Sequence, residues 1–213
     1  MPRAWRYPEC ERLRAGMMND LVRRQLEMSL ATLERTRNDE ALVDAVARAA
    51  EATAQAMLRG GKLMIAGNGG SAADAQHLSA EFVARLTVDR PALRCVALTT
   101  DSSAMTAIGN DYAFEQLFSR QVEAIGARGD VFMGISTSGN SPNILRALQQ
   151  SREMGITTIG YSGNGGGKMA ALCDYNVIVP SETTMHIQES HLALEHIFCM
   201  IVERCYFGPE FGR

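Results

Sequence analysis

Short apolar segments alternate with helical segments through most of the chain, and this alternation limits the fold more than any other feature. The segments KLMIAG, RCVALTT, DVFMGIS, ITTIGYSG and YNVIVPS are strand-sized and carry charge at most on their first residue. Between them lie stretches whose apolar residues recur every three or four positions, as in an α-helix. Strands that are apolar on both faces are typical of a parallel sheet covered by helices on both sides. The sequence therefore predicts an α/β fold, a three-layer sandwich with a central parallel sheet.

Two further helices are predicted ahead of the first strand. The first follows Asn19 or Asp20, either of which is a suitable N-cap, and the second covers residues 40–59. Residues 1–17 contain two prolines and are predicted to be a disordered extension. The chain of 213 residues is long enough for one well-buried domain and short for two, so residues 18–213 are predicted to form a single domain.

Composition excludes several classes of protein. The net charge is −3, and no basic run is interleaved with aromatic residues, which argues against a nucleic-acid surface. No apolar run approaches the roughly 20 residues of a membrane span. The five cysteines are scattered and never form a C-x-x-C pair, as expected of buried free thiols in a reducing cytosol. These features predict a cytoplasmic protein that contacts neither membrane nor nucleic acid.

Two small polar turns each connect a predicted strand to a predicted helix. They are GNGGSA, at 67–72, and STSGNS, at 136–141. Ligands of open α/β sheets bind at the carboxyl ends of the strands, where both turns are expected to lie. Hydroxyl groups, backbone N–H groups and the positive end of a helix dipole all favour a phosphate there. An ordinary helix cap built from serine and asparagine is the alternative interpretation of each turn.

Nucleotide binding is a weaker interpretation of the glycine-rich segments. The first turn matches the dinucleotide pattern G-x-G-x-x-A at Gly67, Gly69 and Ala72. That pattern requires an acidic residue about 20 positions later. The candidate, Asp101, lies more than 30 positions later, and the second glycine-rich segment, GNGGGKM, has Met169 where a Walker A loop has Ser or Thr. Both departures disfavour a nucleotide site.

Histidine and glutamate recur four residues apart on two predicted helices. His77 and Glu81 lie one turn apart on a helix expected at about 71–86, an arrangement that suits a metal ion or a base with its orienting partner. A solvated surface pair is the alternative. The C-terminal helix, expected at about 184–206, contains three of the four histidines. By spacing alone, His191 and Glu195 form the second candidate pair.

Four segments, GNGGSAADAQHLSAEF, GNDY, STSGNS and IQESHLALEH, occur in an order that resembles the phosphoheptose isomerases, which have the sugar isomerase (SIS) fold. The resemblance extends over about residues 20–207. It implies a flavodoxin-like topology for the parallel sheet. It also implies a cytoplasmic homotetramer, with active sites at subunit interfaces, that converts sedoheptulose 7-phosphate to D-glycero-D-manno-heptose 7-phosphate. This reaction is the first step toward the heptose of lipopolysaccharide or related glycans.

The resemblance also implies roles for individual residues. One zinc ion per subunit would be held by four side chains: His77, Glu81, Gln188 and His196. The resemblance thus selects His196, whereas spacing favours His191. Glu81 and His196 would be the acid/base pair. The implied contacts of the sugar phosphate are Asn68, Gly69, Gly70, Ser71, Glu81, Arg85, Asn110, Asp111, Ser136, Thr137, Ser138, Ser141 and Gln188.

Ketose–aldose isomerisation gives these roles a chemical meaning. The reaction moves a proton between C1 and C2 through a cis-enediol, so it needs a base at carbon and a group that polarises or protonates the oxygens. Glu81 is the expected carbon base, and zinc would stabilise the negative charge on the enediol oxygens. A base bound to zinc is weakened, so a structural or inhibitory metal remains the alternative.

One position departs from the family pattern, and one other class of function competes with the isomerase. His186 stands before IQE, where relatives usually carry Arg or Lys, so substrate binding is expected to weaken at high pH if that basic residue holds substrate. The competing class is a non-catalytic SIS-fold protein that binds a replication initiator or senses a phosphosugar. The presence of both Glu81 and His196 favours the isomerase, as does the absence of an attached DNA-binding domain.

Overall fold

The computed structural model describes residues 15–212 and contains a five-stranded sheet in which every neighbouring pair is parallel. The strands are β1 (Leu63–Gly67), β2 (Cys95–Ala97), β3 (Val131–Ser136), β4 (Thr157–Ser162) and β5 (Tyr175–Ile178). Their order is β2-β1-β3-β4-β5, the order of flavodoxin-like sheets. The predicted parallel α/β fold is confirmed.

Seven α-helices surround the sheet in the described part of the chain. They are α1 (Ala15–Arg37), α2 (Glu40–Leu58), α3 (Gly70–Val83), α4 (Ser102–Asp111), α5 (Ser119–Ile125), α6 (Pro142–Glu153) and α7 (Thr184–Phe207). Two 3₁₀ helices cover Phe114–Gln116 and Asn164–Ala171. None of the described helices is long and apolar enough to cross a membrane.

Alternate side chains of each strand pack against different helices, which produces the three layers. In β1, Leu63 and Ile65 belong to a core cluster with α2, α3 and α7, whereas Met64 and Ala66 face α5 and α6. All five residues of β1 are buried, as are all six of β3. Burial on both faces explains why the strands are apolar throughout instead of alternating with polar residues.

The ends of several helices differ from the sequence-based expectations. Asn19 and Asp20 lie inside α1, which is already helical at Ala15, because an amphipathic segment can extend beyond a favourable capping residue. Residues 15–17 of the predicted extension are therefore helical, and residues 1–14 lie outside the described part of the chain. The second helix is capped as its sequence indicates, since the Asp39 carboxylate accepts a hydrogen bond of 3.1 Å from the Leu42 amide.

Candidate active site

The turns that follow β1 and β3 lie side by side at the carboxyl edge of the sheet. The two strands are paired along their length, up to the contact of Gly67 with Ile135. In this strand order the connections leave β1 and β3 on opposite sides, so a crevice opens between the two turns. The local topology therefore joins the two phosphate-friendly segments into one site.

A pair of asparagines ties the two turns together. The Asn68 amide nitrogen donates to the Asn143 side-chain oxygen at 2.9 Å, and the Asn143 amide nitrogen donates back to Asn68 at 2.8 Å. Asn143 is fully buried in the first turn of α6, on the same side as the apolar Ile144, Ala147 and Leu148. Asn143 is not among the site residues predicted from the sequence. A single amide at the start of an otherwise apolar helix face was the only available signal.

The turn at 136–141 gathers three hydroxyl groups at the start of α6. Ser136 Oγ lies 2.8 Å from Ser141 Oγ and 3.5 Å from Ser138 Oγ. Ser141 occupies the N-cap position, yet in the described structure its side chain makes no capping hydrogen bond. The cap interpretation of this turn is therefore wrong. The clustered hydroxyls and the positive end of the α6 dipole remain available to an anion, whereas Pro142 has no N–H and the Ile144 amide bonds to the Ser141 carbonyl and to Asn143 Oδ1.

The 3₁₀ helix at Asn164–Ala171 supports this turn from behind. The Gly163 amide donates to the Thr137 carbonyl at 3.1 Å, and the Met169 amide donates to the Gly139 carbonyl at 3.0 Å. The Lys168 amide adds a bond of 3.1 Å to the Asn140 side-chain oxygen. The glycine-rich segment GNGGGKM therefore packs against the turn at 136–141, called the serine turn below, and holds it by backbone hydrogen bonds.

The start of α3 is built so that the Gln188 side chain of α7 lies against it. Gly69 precedes the helix with φ = 57°, in the left-handed region, and Gly70 begins it. A Cβ at Gly70 would lie only 2.3 Å from Gln188 Nε2. One turn further, Asp74 accepts hydrogen bonds of 3.2 and 3.1 Å from that nitrogen. A carboxylate can only accept, so the amide oxygen of Gln188 is the group left free for a ligand.

His77, Glu81 and His196 converge farther along α3. The Nε2 atoms of the two histidines are 2.8 Å apart, and His77 Nε2 lies 3.6 Å from Glu81 Oε1. All three potential ligand atoms lie within 4.8 Å of one another. The His77 side chain is 43% exposed and that of Glu81 17% exposed, so the group is open to solvent on one side. Two imidazoles and a carboxylate with an open side fit a divalent metal such as zinc.

The other candidate pair, His191 and Glu195, lies on the buried side of α7. His191 Nε2 donates to the Ser162 carbonyl at 3.1 Å, and its ring packs edge-on to Tyr161. Burial lowers the pKa of His191 to about 4 and raises the pKa of Glu195 to about 8; a smaller contribution to the latter comes from Asp74. The structure therefore brings His196, not His191, to Glu81.

The stability of the protein should depend on pH through His191. The unfolded chain protonates this histidine at its ordinary pKa near 6.5, whereas the folded protein does so only near pH 4. The unfolded state therefore binds more protons in this window, and stability is lost as the pH falls from about 6.5 to 4, at up to about 1.4 kcal/mol per pH unit. In His191→Gln, whose amide can still donate to Ser162, this part of the pH dependence should disappear. Urea unfolding at several pH values measures it, and parallel curves for both proteins would contradict the assignment.

Three predicted substrate contacts stand apart from these groups. Arg85 is exposed just beyond the end of α3. Asn110 and Asp111 are exposed at the end of α4, where the Asn110 amide donates to the Asp111 carboxylate at 2.7 Å. Asp101, the weak dinucleotide candidate, caps α4 by accepting a bond of 2.9 Å from Ala104. Within the described chain, none of the three predicted contacts hydrogen-bonds to the serine turn or to the three converging side chains.

His186, the departure from the family pattern, is buried between α7 and α1. Its Nδ1 lies 3.1 Å from Ser29 Oγ and 3.1 Å from Glu189 Oε2. The hydrogen bond from Ser29, and then those with His186, lower the pKa of Glu189. His186 Nε2 is buried without a partner among the described residues. The hydrogen bonds of His186 Nδ1 are therefore with Ser29 of α1 and with Glu189.

Comparison with known proteins agrees with this arrangement. Residues 26–163 match the SIS domain family. The chain is 50% identical over 194 residues to the phosphoheptose isomerase of Aneurinibacillus thermoaerophilus, covering 91% of this chain and 98% of the relative. It is 55% identical over 172 residues to that of Burkholderia pseudomallei, covering 81% and 87%.

Solved structures give the same result. The phosphoheptose isomerase of Neisseria gonorrhoeae superposes with a TM-score of 0.82 at 41% identity, over 87% of this chain and 98% of that one. The enzyme of Francisella tularensis superposes with a TM-score of 0.84 at 34% identity, over 88% and 98%. The similarity therefore includes both layers of helices and the sheet edge where the two turns meet.

Proposed function

The chain belongs to the phosphoheptose isomerases of the SIS-domain family, and from that premise we propose how its residues convert sedoheptulose 7-phosphate to D-glycero-D-manno-heptose 7-phosphate. The reaction requires a phosphate site, a base at carbon and a group that moves protons between the oxygens. The convergence of Glu81, His77 and His196, carried by α3 and α7, is the observation that supports this assignment.

The serine turn holds the phosphate of the sugar. Ser136, Ser138 and Ser141 can donate hydroxyl hydrogens, and the start of α6 adds the positive end of its dipole. The first turn, Asn68 to Ser71, contributes amides from the start of α3. The backbone of Thr137, in the serine turn, is held by the hydrogen bond from the Gly163 amide to its carbonyl. Because the sugar is held by its phosphate end, C1 and C2 extend toward the groups on α3 and α7.

Glu81 acts as the base at carbon, and His196 moves the proton between the oxygens. The Glu81 carboxylate removes a proton from C1 of the ketose, which gives the cis-enediol, and returns a proton to C2. His196 protonates O2 and takes the proton from O1, so the C2 carbonyl is replaced by an aldehyde at C1. Both groups carry out proton transfer near neutral pH when they are positioned within hydrogen-bonding distance of the substrate.

His77, Glu81, Gln188 and His196 would hold one zinc ion per subunit. The two Nε2 atoms face one another at 2.8 Å, and the Asp74 carboxylate orients the Gln188 amide so that its oxygen is free. A bound zinc ion supplies Lewis-acid polarisation of the substrate oxygens. Burial raises the pKa of Asp74, an effect opposed by the hydrogen bond from Gln188 and by His77.

Substitution of His77 by alanine should remove the metal. After exposure to zinc and desalting, we expect about one zinc ion per subunit in the unaltered protein and nearly none in His77→Ala, because three donors hold zinc much more weakly than four. His191→Gln is the matched control, since His191 faces the core, and it should keep its zinc. Elemental analysis measures both. Undiminished zinc in His77→Ala would place the metal elsewhere.

The enzyme acts as a cytoplasmic homotetramer, with active sites at subunit interfaces. Support comes from apolar side chains exposed on the surface of the single subunit, among them Leu21, Leu26 and Leu30 of α1 and Ile197 of α7. Exposed apolar side chains that share a helix face are typical of surfaces that pack against another chain. A neighbouring subunit would also complete the surroundings of Arg85, Asn110 and Asp111. Light scattering of the purified protein measures the subunit number.

The activity itself is tested by NMR of the sugar. Incubation with sedoheptulose 7-phosphate should produce the aldose 7-phosphate, which is recognised by its C1 proton. Sedoheptulose without its phosphate is the control and should be converted far more slowly, because binding energy from the phosphate is lost. A protein that binds the sugar phosphate but forms no aldose would instead fit the non-catalytic SIS-fold class. We place the product in heptose synthesis for lipopolysaccharide or a related glycan.

A further inference from the structure

We propose that Arg90 is a positioning residue for the isomerisation, because its buried guanidinium fastens the end of α3 that carries Glu81 to α7, the helix that carries His196. The inference rests on the roles proposed above for Glu81 and His196. Arg90 itself lies in the segment between α3 and β2 and is not one of the groups that converge on the substrate.

Four hydrogen bonds hold the guanidinium in place. Nε donates to Glu203 Oε1 at 2.7 Å, and Nη2 donates to the backbone carbonyl of Glu81 at 2.7 Å. Nη1 donates to the carbonyl of Phe82 at 2.7 Å and to that of Pro91 at 3.2 Å. The side chains of Arg90 and Glu203 are 1% and 3% exposed, so the pair is almost completely removed from water.

The geometry matches the needs of a helix end. The last carbonyls of an α-helix lack an amide partner from the following turn, and a cation near them is favoured by the helix dipole. In α3 the Ala84 amide bonds to Ala80, which leaves the Glu81 carbonyl without a partner from the helix, and the Phe82 carbonyl accepts a bond of 3.0 Å from the Leu93 amide as well as that from Arg90. The planar fork of Arg90 reaches both carbonyls at once. A lysine carries the same charge but does not have two fixed parallel donors.

The other end of the contact lies on the face of α7 that carries His196. Glu203 is seven residues after His196, so the two point in nearly the same direction, about 10 Å apart along the axis. Packing of Phe82 against Phe198, with ring centroids 6.1 Å apart, reinforces the contact between the helices. Arg90 therefore contacts the backbone of Glu81 on α3 and, through Glu203, the helix α7 that carries His196.

A structural role alone explains this arrangement poorly. Buried ion pairs contribute little net stability compared with apolar packing, because desolvation of the two charges offsets their attraction. A second pair, Lys62 and Asp130, provides a comparison: Lys62 Nζ lies 2.5 Å from Asp130 Oδ2 at the amino ends of β1 and β3, the edge of the sheet opposite the serine turn. Asp130 also accepts amide hydrogen bonds from Lys62 and Ala127, at 3.0 and 2.9 Å.

The test compares Arg90→Lys with Asp130→Asn. In Arg90→Lys the fork is lost, and we expect kcat to fall about tenfold or more while KM changes less than about twofold, because a small displacement of Glu81 affects the proton transfer and not the serine turn. Asp130→Asn should lower the thermal unfolding midpoint at least as much as Arg90→Lys does, because it also breaks a buried ion pair. Its kcat per folded molecule should stay unchanged. Equal kcat in the two variants, measured on folded protein, overturns the proposal.

Two further variants keep the outcome decisive. If Arg90→Lys does not fold, Glu203→Gln replaces it; the amide oxygen still accepts from Nε but the ionic partner is gone, and kcat should fall about threefold. Unaltered kcat there counts against the proposal. Glu81→Gln is measured in parallel. An inactive Glu81→Gln beside a fully active Arg90→Lys overturns the positioning role alone, whereas an active Glu81→Gln overturns the proposed role of Glu81 and, with it, the purpose assigned to Arg90.

Discussion

Replacement of Glu81 by glutamine is expected to lower turnover by about 10²- to 10⁴-fold while the affinity for the sugar phosphate stays nearly unchanged. Glutamine keeps the size of the side chain and one oxygen, so α3 and the neighbouring imidazole of His77 should keep their positions. It does not accept a proton at neutral pH. The phosphate contacts are on the separate turn at 136–141, so binding should persist.

Deuterium exchange separates the missing proton transfer from a general loss of function. In heavy water the unaltered enzyme should introduce deuterium at C1 and C2 of the sugar, and Glu81→Gln should not. Calorimetry measures binding, and the zinc content must be determined as well because Glu81 is also a proposed ligand. Glu51→Gln, a change at an exposed glutamate of α2, is the control and should behave as the unaltered enzyme. Exchange at the unaltered rate in Glu81→Gln would transfer the role of carbon base to His196.

The layers of the fold were predictable from the sequence because buried parallel strands and amphipathic helices have different periodicities. The segments from KLMIAG to YNVIVPS correspond to β1 to β5, and the strand order agrees with the topology implied by the resemblance. Residues 113–126 have a helical pattern in the sequence, which predicts one helix there, but the structure has a 3₁₀ helix followed by α5. A local pattern does not determine such a break, because it depends on how Leu117 and Phe118 reach the core.

The site was predictable only as far as spacing and resemblance extend. Spacing favoured His191 and Glu195, and only the resemblance selected His196, because a four-residue interval does not tell which face of α7 meets the sheet. The structure gives the physical answer: His191 satisfies the Ser162 carbonyl inside the core. Asn143 and Arg90 could not be found from the sequence, because their partners lie far away along the chain or are backbone carbonyls, which leave no mark on the sequence.

Replacement of Gly139 by alanine is expected to remove most of the affinity for the sugar phosphate and to destabilise the fold. Gly139 has φ = 64°, and an added Cβ would lie only 2.1 Å from the Gly166 carbonyl oxygen. Left-handed backbone costs an alanine roughly 1–2 kcal/mol. The collision involves backbone on both sides, so the serine turn or the glycine-rich 3₁₀ segment must move. By analogy with overpacked cores, this movement costs about a further 1–3 kcal/mol, similar to the cost of the backbone strain.

A second glycine distinguishes the collision from the backbone strain. Gly129 has φ = 91°, and nothing lies within 4 Å of its added Cβ, so Gly129→Ala carries the strain without the contact. Gly129 also precedes β3, at the edge of the sheet opposite the serine turn. Both variants should lose stability in urea unfolding, with the larger loss in Gly139→Ala. Only Gly139→Ala should raise KM, by about tenfold or more, because displacement of the turn separates the hydroxyls of Ser136, Ser138 and Ser141 from the phosphate they are proposed to bind. If both variants kept the unaltered KM, the phosphate would have to be bound outside this turn.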